Sequence, residues 1–150
     1  MVEAFLSQDI EDQITNTLGT KVVEFIEKNP RRFYLTVKPV DLPECVKILV
    51  KELWLRMSTA TAVDTRECIE ILYHFSHDKS GKMFTLKVKL EDKSKPEIRS
   101  IATIFKGAEW IEREIAELFG VNFIGHPDMK RLLLSSDWPE GKYPLRRDSK

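Results

Sequence analysis

A chain of 150 residues suits one domain with its own core, and typically buries about 68–70% of its unfolded surface. Its 24 basic and 24 acidic residues cancel, which argues against a dedicated nucleic-acid binder, because such a domain carries a basic footprint. Two cysteines are too few for a disulfide framework, so Cys45 and Cys68 are expected to be buried, reduced thiols in a reducing compartment.

In chain order, Asp9 is placed to cap a first helix that runs to Leu18, with Gly19 to stop it. Lys21 to Lys28 and Arg32 to Lys38 read as two strands of a hairpin around Asn29-Pro30. Asp41 followed by Pro43 marks a second helix start, and Val46, Leu49, Val50 and Leu53 give that helix an inward stripe. Three strands follow: Arg56 to Asp64, Cys68 to His77 and Lys82 to Leu90, the last two joined by a tight turn at Asp78 to Gly81. Glu91 to Glu97 is a charged break, and Ser100 can cap a short turn through Phe105. Gly107 separates that turn from an amphipathic helix, Ala108 to Phe119. Beyond Gly120, a Pro- and Gly-rich tail shows little regular pattern. Runs of adjacent strands favour antiparallel pairing, so the fold class is α+β: a helix-strand-strand-helix-strand-strand-strand sandwich with a C-terminal helix and an extended irregular tail. We divide it into a body, 1–106, and a helix-plus-tail segment, 107–150, within a single domain.

The C-terminal helix carries Ile111, Ile115 and Leu118 as its expected apolar stripe. Glu109 and Glu117 each lie four positions from Arg113, a spacing that allows ion pairs. Glu112, Arg113 and Glu114 are consecutive and cannot share one face, so at least one charge turns toward the packed side and needs a partner there. The helix from Glu109 to Glu117 is net acidic and the tail from Lys130 onward is net basic, which gives the chain a built-in attraction or two patches for different partners.

Here the residues resemble a known signature. Glu112-Arg113-Glu114, Glu117, Leu118-Phe119, His126, Lys130 and Leu132-Leu133 fall at the spacing of the 30-kilodalton subunit family of respiratory NADH:quinone oxidoreductase (complex I). That family includes homologues in energy-converting membrane-bound hydrogenases. Gly107-Ala108-Glu109-Trp110, Gly125-His126-Pro127, Trp138, Gly141 and Pro144 to Asp148 look like the family as well. The resemblance implies a non-catalytic scaffold in the peripheral arm of a membrane-associated complex that couples electron transport to ion translocation. It implies no cofactor in this chain, with iron–sulfur clusters and a nickel–iron site in partner subunits. The implied partners are the large 49-kilodalton-type (hydrogenase large) subunit and other peripheral-arm subunits. Glu112, Arg113, Glu114, Glu117, His126, Lys130, Arg131, Trp138, Arg146 and Arg147 would be the partner-binding residues.

Tyr143 stands where many members have His, and the chain after Pro144-Leu145-Arg146 is short. Set against the family, both features lean toward a hydrogenase-type or ferredoxin-linked archaeal assembly over an NADH- or F420H2-type quinone oxidoreductase. Only two Gln and three Asn occur, an amide-poor balance pointing to a thermophilic source. Met1 to Ile10 holds two acids and no basic residue, so no secretory signal is expected. No apolar run approaches the ~20 residues that span a bilayer, so membrane contact, at the cytoplasmic face, is expected only through partner chains. The alternative of another class is a stand-alone small enzyme using His126 with an acid. Against it, two cysteines cannot hold an iron–sulfur cluster. Alternation also puts His74 and His77 on opposite faces of a strand, and no glycine run forms a nucleotide loop.

Overall fold

The computed structural model describes residues 9–147, so the signal-peptide expectation falls largely outside the described residues, as does the end of the tail after Arg147. The element order is α1 (Ile10–Leu18), β1 (Val22–Asn29), β2 (Arg32–Val37) and α2 (Leu42–Lys47, prolonged by a π-helical turn, Ile48–Glu52). Then come β3 (Arg56–Asp64), β4 (Ile69–His77), β5 (Lys82–Leu90), β6 (Glu97–Arg99), α3 (Ala108–Phe119) and β7 (Asn122–Ile124). The α+β class and the five long strands are those expected from periodicity.

The long strands form one sheet in the order β1-β2-β5-β4-β3. Alternation sends Phe33, Leu35 and Val37 of β2, Ile69, Ile71, Tyr73 and Phe75 of β4, and Phe84, Leu86, Val88 and Leu90 of β5 into the core. Register aligns them in rows, such as Leu35 beside Leu86 beside Tyr73. Ile14, Leu18, Leu42, Cys45, Val46 and Leu49 of α1 and α2 pack into the same cluster. Cys45 and Cys68 are both buried and unbridged, and burial, reinforced by Asp41, pushes the Cys45 thiol up to about 11.

The structure corrects several local expectations. β2 and β5 pair in parallel, at the centre of an otherwise antiparallel sheet. The reason is connectivity: the chain leaves β2 through α2, lays β3 on the far edge, and returns by two hairpin steps to the vacant side of β2. The Asp9 and Asp41 side chains make no cap bond; at Asp41 the helix is led in by a 3₁₀ turn over Pro39–Asp41. The tail is not irregular throughout, because β7 pairs in parallel with β6 across α3, a small β-α-β unit. Three-residue strands are too short to leave a periodic signal. The buried stripe of α3 is Ala108, Glu112, Ile115 and Phe119, rotated from the one expected, with Ile111 and Leu118 only half-buried.

Gly120 ends α3 at φ +76°, and a Cβ built there would lie 2.5 Å from the ring of Tyr143. The left-handed turn and the close approach of the tail thus both require glycine. Gly120→Ala is expected to destabilise the chain by about 1–3 kcal/mol, measured as a lower Tm. Adding Tyr143→Ala should recover only part of the loss, because the backbone strain persists.

Candidate functional site: helix α3 and the tail it holds

The β6-α3-β7 unit sets one end of the site. Glu112 is one turn into α3 on its core side, with its side chain 1% exposed. It accepts hydrogen bonds from the Ser100 hydroxyl (2.5 Å) and the Ile101 amide (2.7 Å). Ser100 in turn accepts from the Ala102 amide, so it does cap the short turn. Burial raises the Glu112 pKa above its ordinary 4.5, against the lowering effect of those two bonds and of His126. The buried charge foreseen among Glu112, Arg113 and Glu114 is therefore Glu112 together with Arg113, while Glu114 is exposed.

His126 sits 3.9 Å from the Glu112 carboxylate, and its ring is also 1% exposed. The Asp128 amide donates to Nδ1 at 3.0 Å. The other nitrogen, Nε2, therefore carries the hydrogen and donates to the Glu109 carbonyl at 2.9 Å. Both ring nitrogens are engaged and the ring is closed to solvent. These bonds fasten the loop after β7 to α3.

The tail is fastened by backbone bonds from α3 side chains. The expected ion pairs of Arg113 with Glu109 and Glu117 are not formed. Instead the Arg113 guanidinium donates to the carbonyls of Lys130 (2.9 Å) and Arg131 (2.8 Å). One turn later, the Glu117 carboxylate receives the amides of Leu132, Leu133 and Leu134, the shortest at 2.5 Å. Arg113 and Glu117 thus clamp five consecutive tail residues, one taking carbonyls and the other amides. Arg131 then donates to the carbonyls of Ser135 and Trp138 (both 2.6 Å), and the Trp138 indole donates to the Lys142 carbonyl. Arg146 reaches the carbonyls of Phe119 and Lys93. Its Nε lies 3.5 Å from Asp64, at the end of β3. Asp64 also takes the Arg147 amide and the Lys93 ammonium (2.6 Å).

Of the residues expected to meet a partner, Glu112, Arg113, Glu117, His126, Arg131, Trp138 and Arg146 thus make bonds within the chain. Glu114, Lys130 and Arg147 have exposed side chains, Lys130 lying near Asp128. Sequence reasoning missed Asp64, at the end of β3, and Lys93, in the turn between β5 and β6, neither of which has a motif around it. Outward from the clamp stand Trp110 (66% exposed), Leu133 (63%), Leu145, Met129 and Ile124. A groove of about 410 Å³ opens between α3 and the tail, walled by Ala116, Met129, Leu134, Trp138 and Tyr143. Among the described residues no three His, Cys, Asp or Glu side chains are placed to hold a metal. Among them, too, no helix is long and apolar enough to cross a membrane.

The family model described as the 30 Kd subunit of respiratory-chain NADH dehydrogenase matches residues 35–150. The chain belongs to this family. Formate hydrogenlyase subunit 5 of Escherichia coli is 36% identical over 153 aligned residues, covering 99% of this chain and 27% of that one. An NADH-quinone oxidoreductase subunit of Chloroherpeton thalassium is 34% identical over 134 residues, covering 85% of this chain and 55% of that one. The chain therefore spans less than two thirds of either relative. A solved structure of the membrane-bound sulfane sulfur reductase, an archaeal respiratory membrane complex, contains a chain with a TM-score of 0.84 at 27% identity. That match covers 94% of this chain and 84% of the other. Relatives in this family are subunits of oxidoreductase complexes, and the clamp is built on the residues that carry the family signature.

Two outcomes are expected. Arg113→Ala leaves two tail carbonyls without donors, at a cost of about 1–3 kcal/mol each where they stay buried. Hydrogen exchange should show residues 130–134 opening while β2, β4 and β5 stay protected. Arg113→Lys should rescue little, because an ammonium lacks the planar fork. The second concerns pH. Burial alone would raise Glu117, but the three tail amides and the Arg113 charge outweigh it and hold its pKa below the ordinary 4.5. Asp64 is likewise pushed up by burial, yet held below the ordinary 3.8 by the Arg147 amide, Lys93 and Arg146. In that window the unfolded chain binds more protons. Their stabilisation is therefore complete above the ordinary values and is lost as pH falls through the lower folded ones. Glu112, with a raised pKa, has the opposite sign and favours the folded chain at acid pH. Acidification through the range just below the ordinary values should therefore free the tail first. Limited proteolysis should cut within 128–147 before the body melts, and simultaneous loss of both would overturn this order.

Proposed function

We propose that the chain is a scaffold subunit without a redox centre of its own, in the peripheral arm of a membrane-associated, complex I-like oxidoreductase. In this reading α3 and the tail seat the large 49-kilodalton-type subunit, whose clusters or nickel–iron site do the electron chemistry. The observation that carries it is the clamp. Arg113, Glu117, Arg131 and Arg146 hold an irregular segment in one shape, while Trp110, Leu133 and Leu145 remain exposed on its outer side. Fixing such a segment before association lowers the ordering cost of binding, and exposed aromatic and apolar groups beside a groove are the usual anchors of an interface.

The inward-turned signature residues shape this surface, and the outward ones, Glu114, Lys130 and Arg147 among them, touch the partner. A hydrogenase-linked complex is preferred because the formate hydrogenlyase relative matches almost the whole chain. The runner-up is a quinone-reducing complex, supported by the NADH-quinone oxidoreductase relative. The chain would then lie at the cytoplasmic face of the membrane, held there by its neighbours.

Leu133→Ser tests the reading without unpicking the clamp, since it removes the exposed apolar group and adds no charge beside Glu117. The isolated chain should keep its Tm, whereas recovery of the large subunit with the tagged chain should fall at least about tenfold, the effect of roughly 1.4 kcal/mol. Truncation after Asp137 should abolish recovery, and it should also lower Tm, since it removes the Arg146 and Arg147 bonds to Asp64. Normal recovery with both variants would place the interface elsewhere.

A further inference from the structure

Trp54 is the one non-glycine residue with positive φ, +59°, among the described residues, and it is 82% exposed. A bulky side chain in the left-handed region is a strained outlier, and the position just beyond a helix is where glycine ordinarily sits. The helix reaches it through the π turn: the Leu53 amide bonds to the Ile48 carbonyl and the Leu55 amide to the Leu49 carbonyl. Such turns recur at functional sites. The Trp54 ring thus lies largely in solvent while its backbone bears strain that glycine would relieve.

Trp54 also ends an exposed line. Val40 (81% exposed), Glu44, Lys47, Lys51 and Trp54 follow one another at spacings of four, three, four and three along the side of α2 away from the core. Glu44 lies 3.7 Å from Lys21, so the charges left facing outward in the middle of the line are Lys47 and Lys51. The line is apolar at both ends, with Lys47 and Lys51 its outward cations between them and exposed Glu52 beside Lys51. It lies on a different helix from the α3–tail surface.

We infer that the outer side of α2 is a second docking surface, with Trp54 as its anchor. Its occupant is a protein segment that offers an apolar pocket to Trp54 and carboxylates to Lys47 and Lys51. Charge complementarity of Lys47 and Lys51 selects acidic groups, and an exposed Trp is among the commonest anchors of an interface. A bilayer surface fits less well, because lipid-binding segments gather about four to eight cations, whereas the line offers two, Lys47 and Lys51. The inference extends the scaffold reading, since it assumes assembly with other chains.

The test replaces Trp54 in two ways and locates its neighbour. In the isolated full chain, Trp54→Gly should raise Tm by roughly 2–8 °C, the shift that relief of such strain gives in a chain of this size, while Trp54→Ala keeps the strain and should not. A fall in Tm with glycine would make Trp54 a packing residue and overturn the inference. In the assembled complex, a photo-crosslinking benzoylphenylalanine at 54 should join a neighbouring protein through a peptide rich in Asp or Glu, and Lys47→Glu with Lys51→Glu should reduce that product at least fivefold. The same crosslinker at Leu133 reports on the scaffold reading. Crosslinking at 133 but not at 54 overturns the second surface alone, and failure at both overturns the two together. Wild-type binding to vesicles containing phosphatidylglycerol, lost with Trp54→Gly, would replace the protein partner by a membrane.

Discussion

The structure of the C-terminal third depends on one supply of hydrogen bonds. An irregular tail cannot pair its own amides and carbonyls as a helix or a strand does, and leaving them unpaired is costly wherever water is excluded. Arg113 and Glu117 meet that need from consecutive turns of α3, one donating to two carbonyls and the other accepting three amides. A guanidinium can only donate and a carboxylate can only accept, so the two side chains divide the work between the two halves of the backbone. Arg131 and Arg146 continue the same device downstream. The charges that make the tail basic and the helix acidic thus act mainly on dipoles rather than on each other.

The clamp needs a helix that does not roll, and the buried carboxyl of Glu112 supplies that. It holds the turn after β6, from which the parallel β6–β7 pair fixes both ends of α3. His126 then ties the loop beyond β7 back to the first turn of the helix. A carboxyl so deeply placed is held in a set position by its two donors, which favours orientation over net stability. At the far end Asp64 gathers Lys93, Arg146 and the Arg147 amide, so the tail is anchored to the sheet as well as to the helix.

This division suits the scaffold role proposed for the chain. Most of the charged groups that look like recognition elements, Glu114, Lys130 and Arg147 excepted, face inward and set a shape, and beside them Trp110, Leu133, Leu145 and the groove at Trp138 are exposed. On the proposed scaffold role, binding energy would come from burying these groups, and specificity from the contour that the inward charges fix.

Much of this could be read from the residues. Strict alternation at Ile69, Ile71, Tyr73 and Phe75 fixes β4 and its buried face. Gly107 and Gly120 bound α3, and the Glu-Arg-Glu run with its spaced followers identifies the family, because those local patterns do not depend on what lies across the core. Consecutive charges cannot share a face, so a buried charge in α3 was legible too. What sequence could not decide was which atoms those charges meet. The Arg113 spacing fits Glu109 and Glu117 as well as it fits the tail, and only the path of residues 130–134 over the helix turns the guanidinium to their carbonyls. The parallel join of β2 with β5, the short β6–β7 pair, the tie of Arg146 to Asp64 and the strained backbone of Trp54 are of the same kind. Each depends on segments far apart in the chain or on a single dihedral angle. Periodicity reports which face of an element is apolar, and only the packed chain decides what that face meets.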